Sequence, residues 1–291
     1  MPRLDWHLGW WSPQPLAIEP EDLIDPHVHG PLLAAAGEGA PLDSLGQARL
    51  DALKAAGLAT STGRPRFPVA RAEQATALLE AGRDLGSAIA RLVAGEWSRI
   101  EVEYEPVRAN VPGVGTPAVA FLVVGGLVLD VGVRRLLRRE GLAAPPFGSA
   151  YVWLAEGRSR AVIGDWSARV TGLPGRGHLI RFGRPDLPQW DLAAVDPEAA
   201  PALPTAREPG LRELCDAIGW SVVRLVDDAL PVLDPIRRRI AGADDEGAFR
   251  SWAYALAMDA ALDNLSARGL LAPPIEGVVS IRVADPVLAG E

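Results

Sequence analysis

Asp25-Pro26-His27-Val28-His29 sets a carboxylate and two imidazoles within one short stretch. On a strand, residues i and i+2 share a face, so His27 and His29 would aim both rings at one ligand beside Asp25, which suits a shared metal ion. The alternative is a pair of surface histidines in a proline-rich turn. The chain contains no G-x-S-x-G elbow, no phosphate-binding P-loop and no G-x-G-x-x-G. Two runs of adjacent carboxylates, Asp227-Asp228 and Asp244-Asp245-Glu246, fall at expected helix boundaries, where capping accounts for them without catalysis. Cys215, the single cysteine, excludes an intramolecular disulfide and fits a reducing cytoplasm; its setting, LRELCDAIGW, suits an inert thiol on a helix. No catalytic residue is assigned, and no cofactor is expected.

Cations supply the second kind of chemistry. The chain carries a net charge of −8, which argues against a protein whose whole surface binds nucleic acid. Between Pro41 and Arg71, however, Arg49, Lys54, Arg64, Arg66 and Arg71 face only Asp43 and Asp51, a local charge of +3. The elements that must position these cations can be read from QARLDALKAAGLATSTGRPRFPV, Gln47 to Val69. Leu50 and Leu53 share a helical face, Gly57 can supply a left-handed cap, and Leu58 leads into an extended segment broken at Gly63. Upstream, LLAAAG after Pro31 is the expected first helix, and Asp43 and Ser44 are candidate N-caps.

Residues 31–69 resemble the winged helix-turn-helix domain of bacterial transcriptional regulators such as the ArsR and MarR families, through LDALKAAGL followed by TSTGRPRFPV. Pro41 to Leu50 is about half the usual spacing, so the second helix and turn are abbreviated. The resemblance implies a DNA-reading helix carrying Gln47, Arg49 and Lys54, and a wing carrying Arg64 and Arg66. Gly63-Arg64-Pro65-Arg66 also resembles the core of an AT-hook, whose arginines enter a narrow minor groove; a solvated hairpin tip is the bland alternative. A second copy of the pattern L-D-x-L-x-A-x-G-L occupies Leu262 to Leu270, with a hairpin expected around Gly277 to Val283. From Asp259 to Asp285 that copy has a charge of −2, so it reads as a structural or dimer-forming unit. IDPHVHG resembles the first metal-binding strand of amidohydrolases, but the further ligands and the barrel of that family have no counterpart here.

The remaining pattern is architectural. Hydrophobic residues at 48% and charged residues at 23% are ordinary for a globular protein. No apolar run reaches the roughly 20 residues that a membrane span requires, and no secretory signal is evident, so a cytoplasmic protein with no membrane association is expected. The expected fold is α+β and mainly helical, with winged-helix-like units at both ends flanking a helical domain with a small antiparallel sheet. The blocks are a Trp/Pro-rich arm (1–30), the first winged-helix-like unit (31–70), a helical and sheet domain (71–185), a linker (186–209) and a helical segment ending in the second unit (210–291). Arg71 to Gly95 is amphipathic, a candidate dimerisation helix. In Ala118 to Gly141, Gly125-Gly126 permits close approach of another helix, and Asp130 and Arg134 are spaced for an i,i+4 ion pair. Arg134, Arg135, Arg138 and Arg139 suit a helix C-terminus or, alternatively, phosphate. Strands are expected at Ala150 to Leu154, Arg160 to Val170 and His178 to Phe182, forming one sheet. Tyr151, Trp153, Trp166 and Phe182 are candidates to line an aromatic effector pocket, with plain core as the alternative. Helices at Leu211 to Val226 and Ala229 to Ile240 are expected to break at Pro231 and Pro235. The preferred function is a homodimeric, double-stranded-DNA-binding regulator responding to a small-molecule effector. Protein–protein interaction through winged-helix folds is the first alternative and a metal-dependent hydrolase the second.

Overall fold

DWHLGWW is a strand, β1 (Asp5–Trp11), with Trp6 and Leu8 buried on one face and Trp11 on the other. The computed structural model describes residues 3–12, 16, 18–109, 115–139, 150–173, 177–183, 190–195, 209–244, 246–272 and 280–284. After β1 come α1 (Pro20–Leu23), α2 (Pro26–Gly37), α3 (Ser44–Ala55), β2 (Val69–Ala70), α4 (Ala72–Gly95), α5 (Trp97–Ala109) and α6 (Thr116–Ala120). A π-helical segment (Phe121–Gly132) leads into α7 (Val133–Arg139), followed by β3 (Tyr151–Gly157), a single 3-10 turn (Arg160–Val162), β4 (Ser167–Leu173), β5 (Gly177–Gly183) and β6 (Trp190–Val195). Two long helices, α8 (Pro209–Arg237) and α9 (Glu246–Ala267), precede β7 (Ser280–Ala284). The fold is α+β and mainly helical, and among the described residues no helix is long and apolar enough to cross a membrane.

The chain forms two compact units rather than the five consecutive blocks expected from the sequence. One contains Met1–Leu85, Glu140–Gly164 and Val226–Ala257; the other contains Gly86–Arg139, Asp165–Leu225 and Met258–Glu291. Both are discontinuous because strands distant in sequence pair with one another, and local composition carries no trace of that pairing.

The first unit is built on the sheet β1-β3-β2, with β1 antiparallel and β2 parallel to β3. Residues 5–11 are therefore an integral strand, and residues 20–23 and 26–30 are helical; the expected N-terminal arm is not an arm. One face of the sheet, through Trp6, Leu8, Val152 and Leu154, packs with Leu32 and Leu33 of α2 and Leu50 and Leu53 of α3. The other face, through Trp11, Tyr151 and Trp153, packs with Leu78 of α4 and with Phe249, Trp252 and Leu256 of α9. Gly9 is required at its position: a Cβ there would meet the Trp153 indole nitrogen at 2.2 Å, and that nitrogen donates to the Ile163 carbonyl at 3.0 Å.

In the second unit, strands β4 to β7 run in sequence order, the first two pairings antiparallel and β6–β7 parallel. The single three-stranded antiparallel sheet expected over 150–182 is thus divided: β3 belongs to the first sheet, Arg160–Val162 is a helical turn, and β4 and β5 belong to the second. Phe121 meets Trp166 at 5.1 Å and Phe182 at 5.2 Å between ring centroids, and all three are buried. Gly125 and Gly126 receive the Phe182 ring, at 2.8 and 3.1 Å from where their Cβ atoms would stand, and Gly125 also admits Leu262 of α9. The expected Asp130–Arg134 pair is present, with its closest N–O approach at 2.5 Å, and is fully buried rather than solvated. Arg134 is consequently not available for phosphate; the side chains of Arg135, Arg138 and Arg139 lie outside the described residues.

Two further expectations differ. Pro231 and Pro235 lie inside a continuous α8 and do not break it. Residues 190–195 of the expected linker form β6; the remainder of 186–208 lies outside the described residues. The apolar residues of α4, including Ala75, Leu78, Ile89 and Val93, are buried within the chain itself, so that face is not open to a second copy.

Candidate nucleic-acid interface

Asp43 starts α3 by accepting the Gly46 N–H at 2.6 Å, and Gly57 stops it. Gly57 has φ +75; its N–H bonds the Lys54 carbonyl at 3.0 Å and the Leu58 N–H bonds the Leu53 carbonyl at 2.9 Å, the paired bonds of a Schellman cap. Burial of Leu50 and Leu53 turns the opposite side of α3 to solvent. The chain then forms a hairpin in which Ala59 pairs with Pro65, the Thr60 N–H bonds the Arg64 carbonyl at 2.8 Å, and the Arg66 N–H bonds the Leu58 carbonyl at 3.1 Å. Gly63 turns the tip with φ +88 and lies against α3, where an added Cβ would stand 3.1 Å from Leu50 Cδ2. Helix and hairpin are therefore one packed surface.

On that surface Gln47, Arg64 and Arg66 are exposed and Lys54 is half-buried; Arg49 is also exposed, but at 100° per residue it stands about 200° around α3 from Gln47, on the side that acts on His29. Arg49, Arg64 and Arg66 have no carboxylate partner among the described residues. Gln47 and Lys54 are not free in the same way, because both donate to Asp51 Oδ1 at 3.0 Å. The Lys54 hydrogen bond, followed by that of Gln47, holds the Asp51 carboxyl below its usual range, so an anion sits amid the residues expected to read DNA. The spacing Gln47, Asp51, Lys54 was visible in the sequence as i,i+4 and i,i+3 neighbours; Asp51 is the site residue that reading passed over.

The Asp25, His27, His29 segment is arranged by helix initiation, not as a metal-binding strand. Asp25 caps α2, its carboxylate accepting the His27 and Val28 N–H groups at 2.9 and 3.3 Å. Pro26 occupies the first turn, where its missing N–H is not needed. His29 Nδ1 accepts the Asp25 N–H at 3.1 Å, and burial lowers its pKa, with Arg49 adding to the effect and Asp25 opposing it. His27 turns elsewhere, to Asp5 of β1 at 2.7 Å. Among the described residues no three His, Cys, Asp or Glu side chains are grouped to hold a metal ion.

The four aromatic residues expected to line a pocket do not form one. Tyr151 and Trp153 are in the core of the first unit, and Trp166 and Phe182 in that of the second. In the second copy of the α3 motif the described residues reproduce the cap: Gly269 has φ +72, and Leu270 N–H bonds the Leu265 carbonyl at 3.1 Å. Its expected hairpin lies partly at 273–279, outside the described residues, and the strand beyond, β7, pairs with β6. Asp259, counted toward that copy's acidity, is buried and accepts the N–H groups of Asp165 and Trp166.

No protein-family model, curated protein or solved structure matches this chain.

Proposed function

We propose that this chain is a cytoplasmic regulator that binds double-stranded DNA through α3 and the 58–66 hairpin. The observation that carries the reading is the set of exposed arginines 49, 64 and 66, without carboxylate partners among the described residues, on a chain of net charge −8. An acidic protein that leaves two guanidinium groups uncompensated on one hairpin, with a third on the adjoining helix, has a local footprint suited to phosphate. Phosphate contact fits this surface better than base reading by Gln47 and Lys54, which Asp51 holds. Arg64 and Arg66 meet the backbone or a narrow minor groove, and Arg49 adds a contact from α3. As in other winged-helix regulators, a homodimer would set two such surfaces on two half-sites. Replacing Arg64 and Arg66 together with alanine is expected to weaken duplex binding and reduce its salt dependence; unchanged binding at every salt concentration removes the hairpin from the interface.

A second reading, protein contact through the same helix, is favoured by Leu45, which is 58% exposed on the first turn of α3. An exposed apolar side chain on the same helix as Asp51 suits a protein partner better than a phosphate backbone. Leu45→Ser would leave duplex binding intact under the first reading and abolish partner binding under the second.

A further inference from the structure

The turn at residues 238–244, between α8 and α9, is fastened to the base of the hairpin. Val69 N–H bonds the Ala241 carbonyl at 2.8 Å, and the Gln74 side-chain amide donates to the Arg239 carbonyl at 2.5 Å. Gly242 has φ +73 and sits so close to residues 65–67 that a Cβ would meet the Phe67 carbonyl oxygen at 2.2 Å. Gly37, at the end of α2, similarly admits Ala241, whose Cβ lies 2.5 Å from where a Cβ of Gly37 would be. These contacts give the turn a fixed place beside the hairpin. A cleft of about 220 Å³ opens there, lined by Glu38, Arg64, Gln74, Arg238, Arg239 and Asp244 among others.

The lining charges do not cancel equally. Glu38 is taken up by Arg71 through two hydrogen bonds of 2.9 and 3.2 Å. Arg238 shares the single carboxylate of Asp234 with Arg237. Arg239 pairs with Glu73 at 3.3 Å between two exposed side chains, and Arg64 has no carboxylate partner among the described residues. Exposed ion pairs of this kind exchange readily, and a guanidinium donates to phosphate in the same two-pronged geometry as to carboxylate.

We infer that this cleft is a phosphate-binding site, with Arg64, Arg238 and Arg239 as donors and Asp244 limiting its affinity. It deepens the DNA reading, on which the backbone source of the phosphate rests, by adding the 238–239 turn to the hairpin as a second anchor. A free phosphate compound is the other source of the same chemistry, and the two are separable.

The experiment uses the full chain in two arms: anisotropy titrations against labelled random duplex over a range of salt, and calorimetric titration with inorganic pyrophosphate. For duplex, Arg238→Ala/Arg239→Ala is expected to reduce the log–log salt slope by about 2, at about 0.9 per phosphate contact, in addition to the loss from Arg64→Ala/Arg66→Ala. Arg238→Lys/Arg239→Lys, which keeps both charges, should retain most of the slope, and Asp244→Asn should tighten binding. That result, with pyrophosphate competing for the duplex, establishes the backbone source. Pyrophosphate binding that is lost in the alanine pair, with no duplex binding by the wild type, keeps the cleft as a phosphate site and overturns the DNA function. Alanine variants that match the wild type in both arms overturn the cleft, whatever the hairpin variant does.

Discussion

Residues 50–58 and 262–270 carry the same L-D-x-L-x-A-x-G-L pattern and end their helices with the same two hydrogen bonds; the first continues into the basic hairpin described above, and the second runs toward 273–279, outside the described residues. Their buried leucines, Leu50 and Leu53 in one and Leu262 and Leu265 in the other, anchor the last turn, and glycine at φ +75 or +72 reverses the chain. The repeat is therefore a helix-termination code: small residues before a left-handed glycine, with leucines placed to bury the turn. It is not evidence of a duplicated domain. Function, if it resides in this pattern, must come from what differs: the arginines that follow the first copy and the exposure of its flank.

The largest effects should be shared by both copies. Leu53→Ala and Leu265→Ala each remove a buried leucine, and each is expected to destabilise its unit by roughly 2–5 kcal/mol in denaturant titrations. A change confined to one would show that the two helix ends are not equivalent anchors. Next come the caps. Gly57→Ala and Gly269→Ala both place a Cβ in open space at positive φ, so each should cost about 1–2 kcal/mol through backbone strain alone. Unequal costs would mean that one glycine serves something beyond termination.

Smaller effects should separate the copies. Asp51→Asn weakens the hold on Gln47 and Lys54 and removes an anion from the proposed interface; duplex affinity at low salt is expected to rise about two- to fivefold, the scale of one solvent-screened charge. The matching change, Asp263→Asn, should leave binding unaltered, and equal responses would remove α3 from the interface. The smallest contrast is in pH. His29 has its pKa lowered from 6.5 chiefly by burial, so the folded state favours the neutral ring. Its contribution is present above pH 6.5 and is lost as pH falls through the lowered folded-state value, because the unfolded chain binds the proton more readily. Protection of the α2 amides, after correction for the pH dependence of intrinsic exchange, should therefore fall on acidification in the wild type and less so in His29→Gln, with residues 262–270 unaffected by the substitution.

How far the sequence could be read follows from the range of the forces involved. The ends of α3, the Gly57 cap, the Gly63 turn and the Asp130–Arg134 pair were legible because each is settled within about five residues by capping, φ preference or helical spacing. The length of α4 followed from apolar period for the same reason. Pairing of β1 with β3, 140 residues apart at Trp11 and Tyr151, was not legible, and DWHLGWW consequently read as an arm. The aromatic residues misled in the same way: their type was visible, but which sheet each joined was decided by long-range pairing. His27 and His29 were read at strand spacing although Asp25-Pro26 is also a helix start, and the capping reading is the one the backbone adopts. Within the candidate site the cations, and by helical spacing Asp51 among them, were legible, whereas the 238–244 turn beside them depends on tertiary placement.

The central claim is that the first copy, with its hairpin, binds duplex DNA through uncompensated arginines. It is tested most directly by anisotropy titration of the wild type and Arg64→Ala/Arg66→Ala against random duplex at low and at physiological salt. The account predicts binding that weakens steeply with salt in the wild type and a shallower dependence, by about 2 in log–log slope, in the variant. No binding by the wild type even at low salt would contradict it.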